Sequence, residues 1–383
     1  MIIENNKYIY IKMKTKPEKT KYHSFKIGKL PNGCKQCVKG EKTVLFITGK
    51  CSLNCFFCPI SDQKKNKDVI FFNEWPSRKI NNLFEEIKLC NSKGVGITGG
   101  DPLMALPRTI KYIKALKSKF GKKFHIHLYT PLNLVTERNL KNLYDAGLDE
   151  IRFHLDAYDD KYWDKIKLVS KYKWDVGVEI PVIPGIKNKY IKLIDFLFSK
   201  DISKIKFLNL NELEISDTNA CSLVEKGFKT KDKYSYGVKG SENLAKELLK
   251  YIATKNKSNK YKLNVHYCTC RLKDDVQLRA RIKRRAKNSA KAFDVIDDEG
   301  MLIRGAIYFS NKNQVKKIIS ILKNNEVPVK YYKLDKTKNR LLTTTVVVEE
   351  LAEEFKHINP KIKVAIVREY PTVDCLNVET DFF

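Results

Sequence analysis

Three thiols crowd the stretch GKCSLNCFFCPIS at positions 49–61: Cys51, Cys55 and Cys58, spaced Cys-x3-Cys-x2-Cys. Such a group can form a disulfide, a zinc ligand set, an iron–sulfur ligand set or a cysteine-rich turn. The chain carries ten cysteines, and seven fall in three tight groups. In a reducing compartment, clustered cysteines point to metal or redox chemistry rather than to disulfides. Structural zinc usually takes four protein ligands. Three thiolates on one short loop leave a coordination position open, as does an iron–sulfur cubane held by three cysteines. Cys90, Cys221 and Cys375 stand alone and read as buried structural thiols.

The thiol loop needs a frame. TVLFIT (43–48) is a β-branched, apolar run of the kind found in strands buried on both faces. Similar runs recur at 95–98, 124–129, 150–155, 176–182 and 204–210, with a further short strand at 261–267. Helix-period stretches lie between them, at about 76–90, 107–119, 135–147, 160–172, 189–199 and 241–256. Thr136 is placed to cap the third of these and Gly147 to end it. Strands and helices in alternation predict a parallel sheet with right-handed crossovers, with chemistry on the loops at the C-terminal strand ends. The thiol loop starts where the first strand stops. A second candidate, ITGGDPL (97–103), ends the second strand and has the glycines that let backbone approach a ligand.

The spacing of Cys51, Cys55 and Cys58 after the first strand, with Gly99-Gly100-Asp101-Pro102 after the second, resembles the radical S-adenosylmethionine (SAM) superfamily. The resemblance spans about 43–257. It implies a partial (β/α)6 barrel and a [4Fe-4S] cluster on the three cysteines. The cluster's open iron would bind SAM, and one electron would cleave SAM to methionine and a 5′-deoxyadenosyl radical. By the same resemblance Phe57 packs near the adenine, and Gly99, Gly100 and Asp101 bind the SAM amino group. Asp101 can instead cap the turn that follows it. Tyr129, Thr130, His154, Asp156 and Glu179 lie at further strand ends as weaker cofactor candidates. Asn209, Asn211, Glu212 and Glu214 gather after the sixth strand, and Asn211, Glu212 and Glu214 are the candidates to hold substrate and act in catalysis. The pattern is similar to an archaeal-type group related to pyruvate formate-lyase activating enzyme.

Cys34 and Cys37, with Cys268 and Cys270, form two more pairs flanking the barrel in sequence. Together they are a candidate second site for zinc or an auxiliary iron–sulfur cluster. Cys37 lies five residues before the first strand and so stays within ~20 Å of its start. A shared site then needs either an antiparallel strand at 261–267, which puts the metal at the barrel bottom, or an N-terminal loop folded up the barrel side.

These readings divide the chain into an N-terminal extension (1–42), the barrel with its extra strand (43–270), a basic helical linker (271–299) and a C-terminal domain (300–383). The linker sets Leu278, Ile282, Ala286 and Ala290 on one helix face, with arginines and lysines on the others. The C-terminal domain reads βαββαβ, a ferredoxin-like order, with strands at 301–309, 327–334, 341–348 and 362–368. Formal net charge is +30, with lysine in excess of glutamate. That excess, the basic helix, and Tyr331 and Tyr332 favour RNA, tRNA in particular, over protein as the macromolecular substrate. The alternative is a protein- or peptide-modifying enzyme or a glycyl-radical activase. A low-potential electron donor is implied by the resemblance. No stretch has the apolar length of a membrane span, and the start lacks signal-peptide order, so a cytoplasmic protein is expected. No cobalamin-holding domain precedes the barrel, so B12-dependent methylation is not expected.

Overall fold

The structure is a computed structural model that describes residues 16–202 and 204–383. The first fifteen residues of the expected extension lie outside that set. The chain divides into two compact units. A barrel unit holds the described residues up to 35, with 45–70 and 95–274; a second unit holds 36–44, 71–94 and 275–383.

Eight of the eleven strands of the first sheet frame the site: β1 (Phe25–Ile27), β2 (Lys42–Phe46), β3 (Gly94–Thr98), β4 (His125–Pro131), β5 (Glu150–His154), β6 (Asp175–Val182), β7 (Phe207–Glu212) and β8 (Asn264–Cys268). Their spatial order is β2-β3-β4-β5-β6-β7-β8-β1. Pairing is parallel from β4 through β8. Alternate residues serve opposite faces. Val176, Val178, Ile180, Leu208 and Leu210 are buried apolar positions of β6 and β7. The intervening Glu179 and Asn209 meet each other on the interior face. The extension is not a separate appendage, because β1 joins the sheet antiparallel to β8.

The helix Glu137–Asp145 begins as expected, with Thr136 Oγ1 accepting the Asn139 N–H at 3.2 Å. Residues 160–172 depart from expectation: Trp163–Lys171 forms 3-10 turns rather than an α-helix. Its buried residues, Trp163, Ile166 and Val169, recur every third position, the period of a 3-10 helix. The polar insertion at 213–240 holds a short helix, Ala220–Glu225, and a hairpin of Thr230–Asp232 with Ser235–Val238.

In the second unit, β9 (Leu302–Tyr308), β10 (Tyr332–Asp335), β11 (Arg340–Thr343), β12 (Lys363–Glu369) and β13 (Asn377–Phe382) form one antiparallel sheet in the order β10-β11-β9-β12-β13. Helices Lys312–Asn324 and Thr345–Ile358 complete the expected ferredoxin-like βαββαβ, and β13 adds an edge strand. The expected strand at 341–348 stops at Thr343. Thr344 instead caps a helix, its Oγ1 accepting the Val347 N–H at 3.2 Å. The β-branched run TTTVVV suits a strand, but the cap and the burial of Val348, Ala352 and Phe355 outweigh that propensity. Tyr332, expected at the surface, packs against the core beneath the helices.

The basic helix, Arg279–Ser289, also differs from its reading. Arg285 is buried against Glu86 at 3.0 Å. Arg281 bonds Asn73 at 3.0 Å and also meets Glu74. Arg284 donates to the carbonyls of Cys90 and Asn91, and Arg279 pairs with Glu299. These arginines hold the second unit together, so the helix is no open phosphate-binding stripe. Of the lone thiols, Cys90 is buried but Cys221 is exposed, against the expectation of burial.

Candidate functional site

The loop after β2 is closed at its base. Gly49 N–H bonds Lys67 O at 2.8 Å, and Asn66 N–H bonds Gly49 O at 3.0 Å. Arg108 grips Asp68 through two bonds of 2.7 Å and donates to Ile47 O at 2.9 Å. Thr48 adds a bond to Asp68 at 2.9 Å. On this platform Cys51, Cys55 and Cys58 are half-buried. Burial pushes the Cys55 thiol up to about 12, and the neighbouring Cys51, Cys58 and Asp156 push the same way. Cys51 is raised by burial, with Asp101 and Cys58 contributing. Burial and neighbouring acidic groups thus both disfavour the Cys51 and Cys55 thiolates. A positively charged iron centre is the chemistry that would draw such thiols into their thiolate form.

The glycine segment is laced onto that loop. Gly100 N–H bonds Thr48 O and Asp101 N–H bonds Lys50 O, both at 2.8 Å. A Cβ on Gly99 would run into the Thr48 carbonyl, and one on Gly100 into the Lys50 carbonyl. Asp101 is fully buried. Its Oδ1 accepts Leu103 N–H at 2.9 Å, capping the turn Pro102–Ala105, and the Thr130 hydroxyl at 2.8 Å. Its Oδ2 is buried with no partner. Burial raises the carboxyl's pKa. Asp101 therefore caps the turn with one oxygen and leaves the other without a hydrogen-bond partner.

Phe57 stands at the edge of an apolar cluster of Ile183, Leu213, Leu223 and Val238. Its ring lies 5.9 Å from that of His154, and Asn219 holds its carbonyl at 3.0 Å. Burial holds the His154 imidazole below its usual range. Asp156 is spent on the Tyr158 N–H at 2.8 Å. Glu179 accepts from Arg152 at 2.8 Å, Asn209 at 2.9 Å and Asn211 at 3.0 Å.

The four polar residues after β7 do not form one group. Asn209 and Asn211 turn inward to Glu179. Glu212 is buried between Lys231 and the Cys270 N–H, each at 2.8 Å. Glu214 pairs with Lys273 at 2.8 Å. The thiol pairs are corrected too. β8 runs parallel to β7 and sets Cys268 level with Asn211 at the C-terminal end, so a metal site at the barrel bottom is excluded. Cys34 Sγ lies in the interior, accepting from Asn209 at 3.3 Å. Among the described residues no three His, Cys, Asp or Glu side chains are drawn to the separation of a bound metal's ligands. The same holds for Cys51, Cys55 and Cys58, so this spacing does not decide between the two thiol sites.

Residues 45–197 match the Radical SAM superfamily, and residues 300–381 match a domain of unknown function, DUF8061. A Methanocaldococcus jannaschii protein provisionally named a glycyl-radical enzyme activating enzyme is 44% identical over 370 residues, covering 94% of each chain. The chain belongs to the radical SAM superfamily. A GTP 3′,8-cyclase of Staphylococcus epidermidis is 25% identical over 191 residues, 44% of this chain and 53% of its own. Among solved structures, Streptococcus suis SuiB has a TM-score of 0.40 at 12% identity, over 60% of this chain and 49% of its own.

This radical SAM enzyme uses a [4Fe-4S] cluster and SAM. The donor set fits both: Cys51, Cys55 and Cys58 would hold the cluster, and Asp101 Oδ2 with the Gly99–Gly100 backbone would receive the SAM amino group. When bound, the pair supplies a 5′-deoxyadenosyl radical. The enzyme's own Thr130 fixes Asp101, and Phe57 sets an apolar ring beside His154.

Sequence reasoning missed the barrel floor. Arg152 is buried between Glu150, which it contacts closely, and Glu179. Tyr129 accepts from it at 3.1 Å and in turn meets His127 at 3.0 Å. Gly33 donates to Glu150 at 3.3 Å, and any side chain there would strike Arg152 and His127. Glu150 is only two residues from Arg152, but Tyr129 and Glu179 lie 23 and 27 residues away, and Gly33, which bonds Glu150, lies 117 residues from it. Among the described residues no helix is long and apolar enough to cross a membrane.

Proposed function

We propose that this radical SAM enzyme acts on a polypeptide, abstracting a hydrogen atom from a residue presented at the C-terminal end of the barrel. The observation that carries this is the match over 94% of both chains to a relative provisionally named for activating a glycyl-radical enzyme. The pairing of Arg279, Arg281, Arg284 and Arg285 within the second unit supports it by removing the strongest local argument for RNA. An electron from a low-potential donor is consumed each time SAM is cleaved to methionine and the radical. Asn211 and Glu179 line the interior where the substrate residue would enter.

The test compares protein and tRNA digests by mass spectrometry, with and without the gene. A protein mass or radical-dependent cleavage that needs the gene supports a polypeptide substrate. A changed nucleoside with an unchanged proteome puts RNA in its place. Reduced wild-type enzyme should form 5′-deoxyadenosine in either case.

A further inference from the structure

The second unit's sheet buries its two faces differently. Ile307, Leu341 and Val364 turn toward the two helices. Ala306, Leu342, Ala365 and Val367 turn the other way, where Phe293 packs on them. Next to these small and apolar residues the same region carries a set of buried charges. Arg340 reaches Asp335 at 2.9 Å and Glu369 at 2.7 Å. Lys338 adds a second cation to Glu369 at 3.1 Å. Arg304, 5% exposed, lies 2.9 Å from Asp294. That contact lacks hydrogen-bond alignment, so Arg304 Nε and Asp294 Oδ1 are both buried without a hydrogen-bond partner. Buried ion pairs return little stability for the solvation they lose, and an apolar core of the same volume does as well or better. Charge kept here at that cost asks for another reason.

A groove of about 590 Å³ opens beside it, wholly within the second unit. That is the size of an ordinary small-molecule site. Arg304, Phe293, Leu302 and Leu342 line it, and cations outnumber carboxylates in its wall by six to four. Lys291, Lys333 and Lys336 are among those cations and make no ion pair among the described residues. Asp335 and Asp294, by contrast, are already engaged by Arg340 and Arg304. Glu85 and Asp374 also line the groove, so three lysines face two carboxylates and the uncommitted charge is net positive, beside an apolar floor.

We propose that this groove is a ligand site for a small organic anion, a phosphate or carboxylate on an apolar body. The anion sits among Lys291, Lys333 and Lys336, with the Arg304–Asp294 pair beside it, and the body lies on Phe293, Leu302 and Leu342. A planar guanidinium and a ring of mobile ammonium groups suit either oxyanion. The site gives the domain of unknown function a binding role separate from the barrel.

Isothermal titration of the full chain tests this, with phenyl phosphate and benzoate as probes and phenol and inorganic phosphate as controls. At least one of the two probes should bind saturably at one site, about tenfold or more tighter than phenol or inorganic phosphate. Whichever probe binds more tightly identifies the oxyanion. The combined variant Lys291→Ala/Lys333→Ala/Lys336→Ala should weaken binding about tenfold and added salt should weaken it further. Its thermal melting should match wild type, since these lysines make no ion pairs, and saturating SAM should leave the affinity unchanged. Two results overturn the proposal: neither probe binding saturably, or the lysine variant binding as tightly as wild type.

Discussion

The thiol loop at 49–61 and the helix Arg279–Ser289 look alike as sequence, each a dense run of one chemical type. The fold treats them in opposite ways. Around the loop, the neighbours of Cys51 and Cys55 are other thiols and Asp101, all of which oppose ionisation. Around the helix, Glu86, Glu74, Glu299 and two carbonyls neutralise or bond the arginines. One run lacks its counter-charge until a metal brings it; the other has its own already. Density of reactive groups shows where chemistry is affordable, and the residues placed opposite show whether it is still open.

That contrast can be broken or sharpened by measurement. The largest effect belongs to the loop: Cys55→Ala should reduce iron to background in anaerobically reconstituted protein and abolish 5′-deoxyadenosine formation. Retained turnover would mean the loop is not the cluster site. Next is the helix, where Arg285→Ala strands Glu86 as an uncompensated buried charge and should cost about 3–5 kcal/mol in denaturant unfolding. Arg279→Ala, at an exposed pair, should cost under about 1 kcal/mol. Equal costs would show that the helix is not anchored by burial.

A pH test probes the barrel interior. Burial, assisted by Arg152 and Lys26 and opposed by Glu179, lowers the pKa of His266 to about 4. The unfolded chain takes up that proton near pH 6.5. The stability from His266 is therefore complete above that pH and is lost as pH falls toward 4, by ~3 kcal/mol at the lower end. His266→Gln should remove that part of the slope; an unchanged slope would show the imidazole is not buried neutral. A binding test probes Asp101. Asp101→Asn puts an amide where a ligand ammonium needs an acceptor, and should raise the SAM dissociation constant by about tenfold or more while leaving iron content intact.

Much of the barrel was legible in advance because its signals are local. A strand buried on both faces reads as a continuous apolar run, and β2 through β8 each follow such a run. The cluster loop and the glycine segment were legible for the same reason: ligands on one short loop must be close in sequence, and a glycine is required where Gly100 passes against the Lys50 carbonyl. Thr136 and Gly147 marked a helix from its ends alone.

What only the tertiary structure decided involves partners far apart in the chain. The parallel direction of β8 moved Cys268 to the top of the barrel, and nothing in YKLNVHY encodes direction. Glu86, some 199 residues from Arg285, turned a basic helix into a buried brace. Glu179, 27 residues on, joined Glu150 to make Arg152 a buried interior group rather than a surface charge. Chain sequence sets which groups are near each other along the backbone, and so it determined the cofactor loop. Charge compensation depends on distance in space, and so the folded chain alone settled which charges were spent and which remained for a ligand.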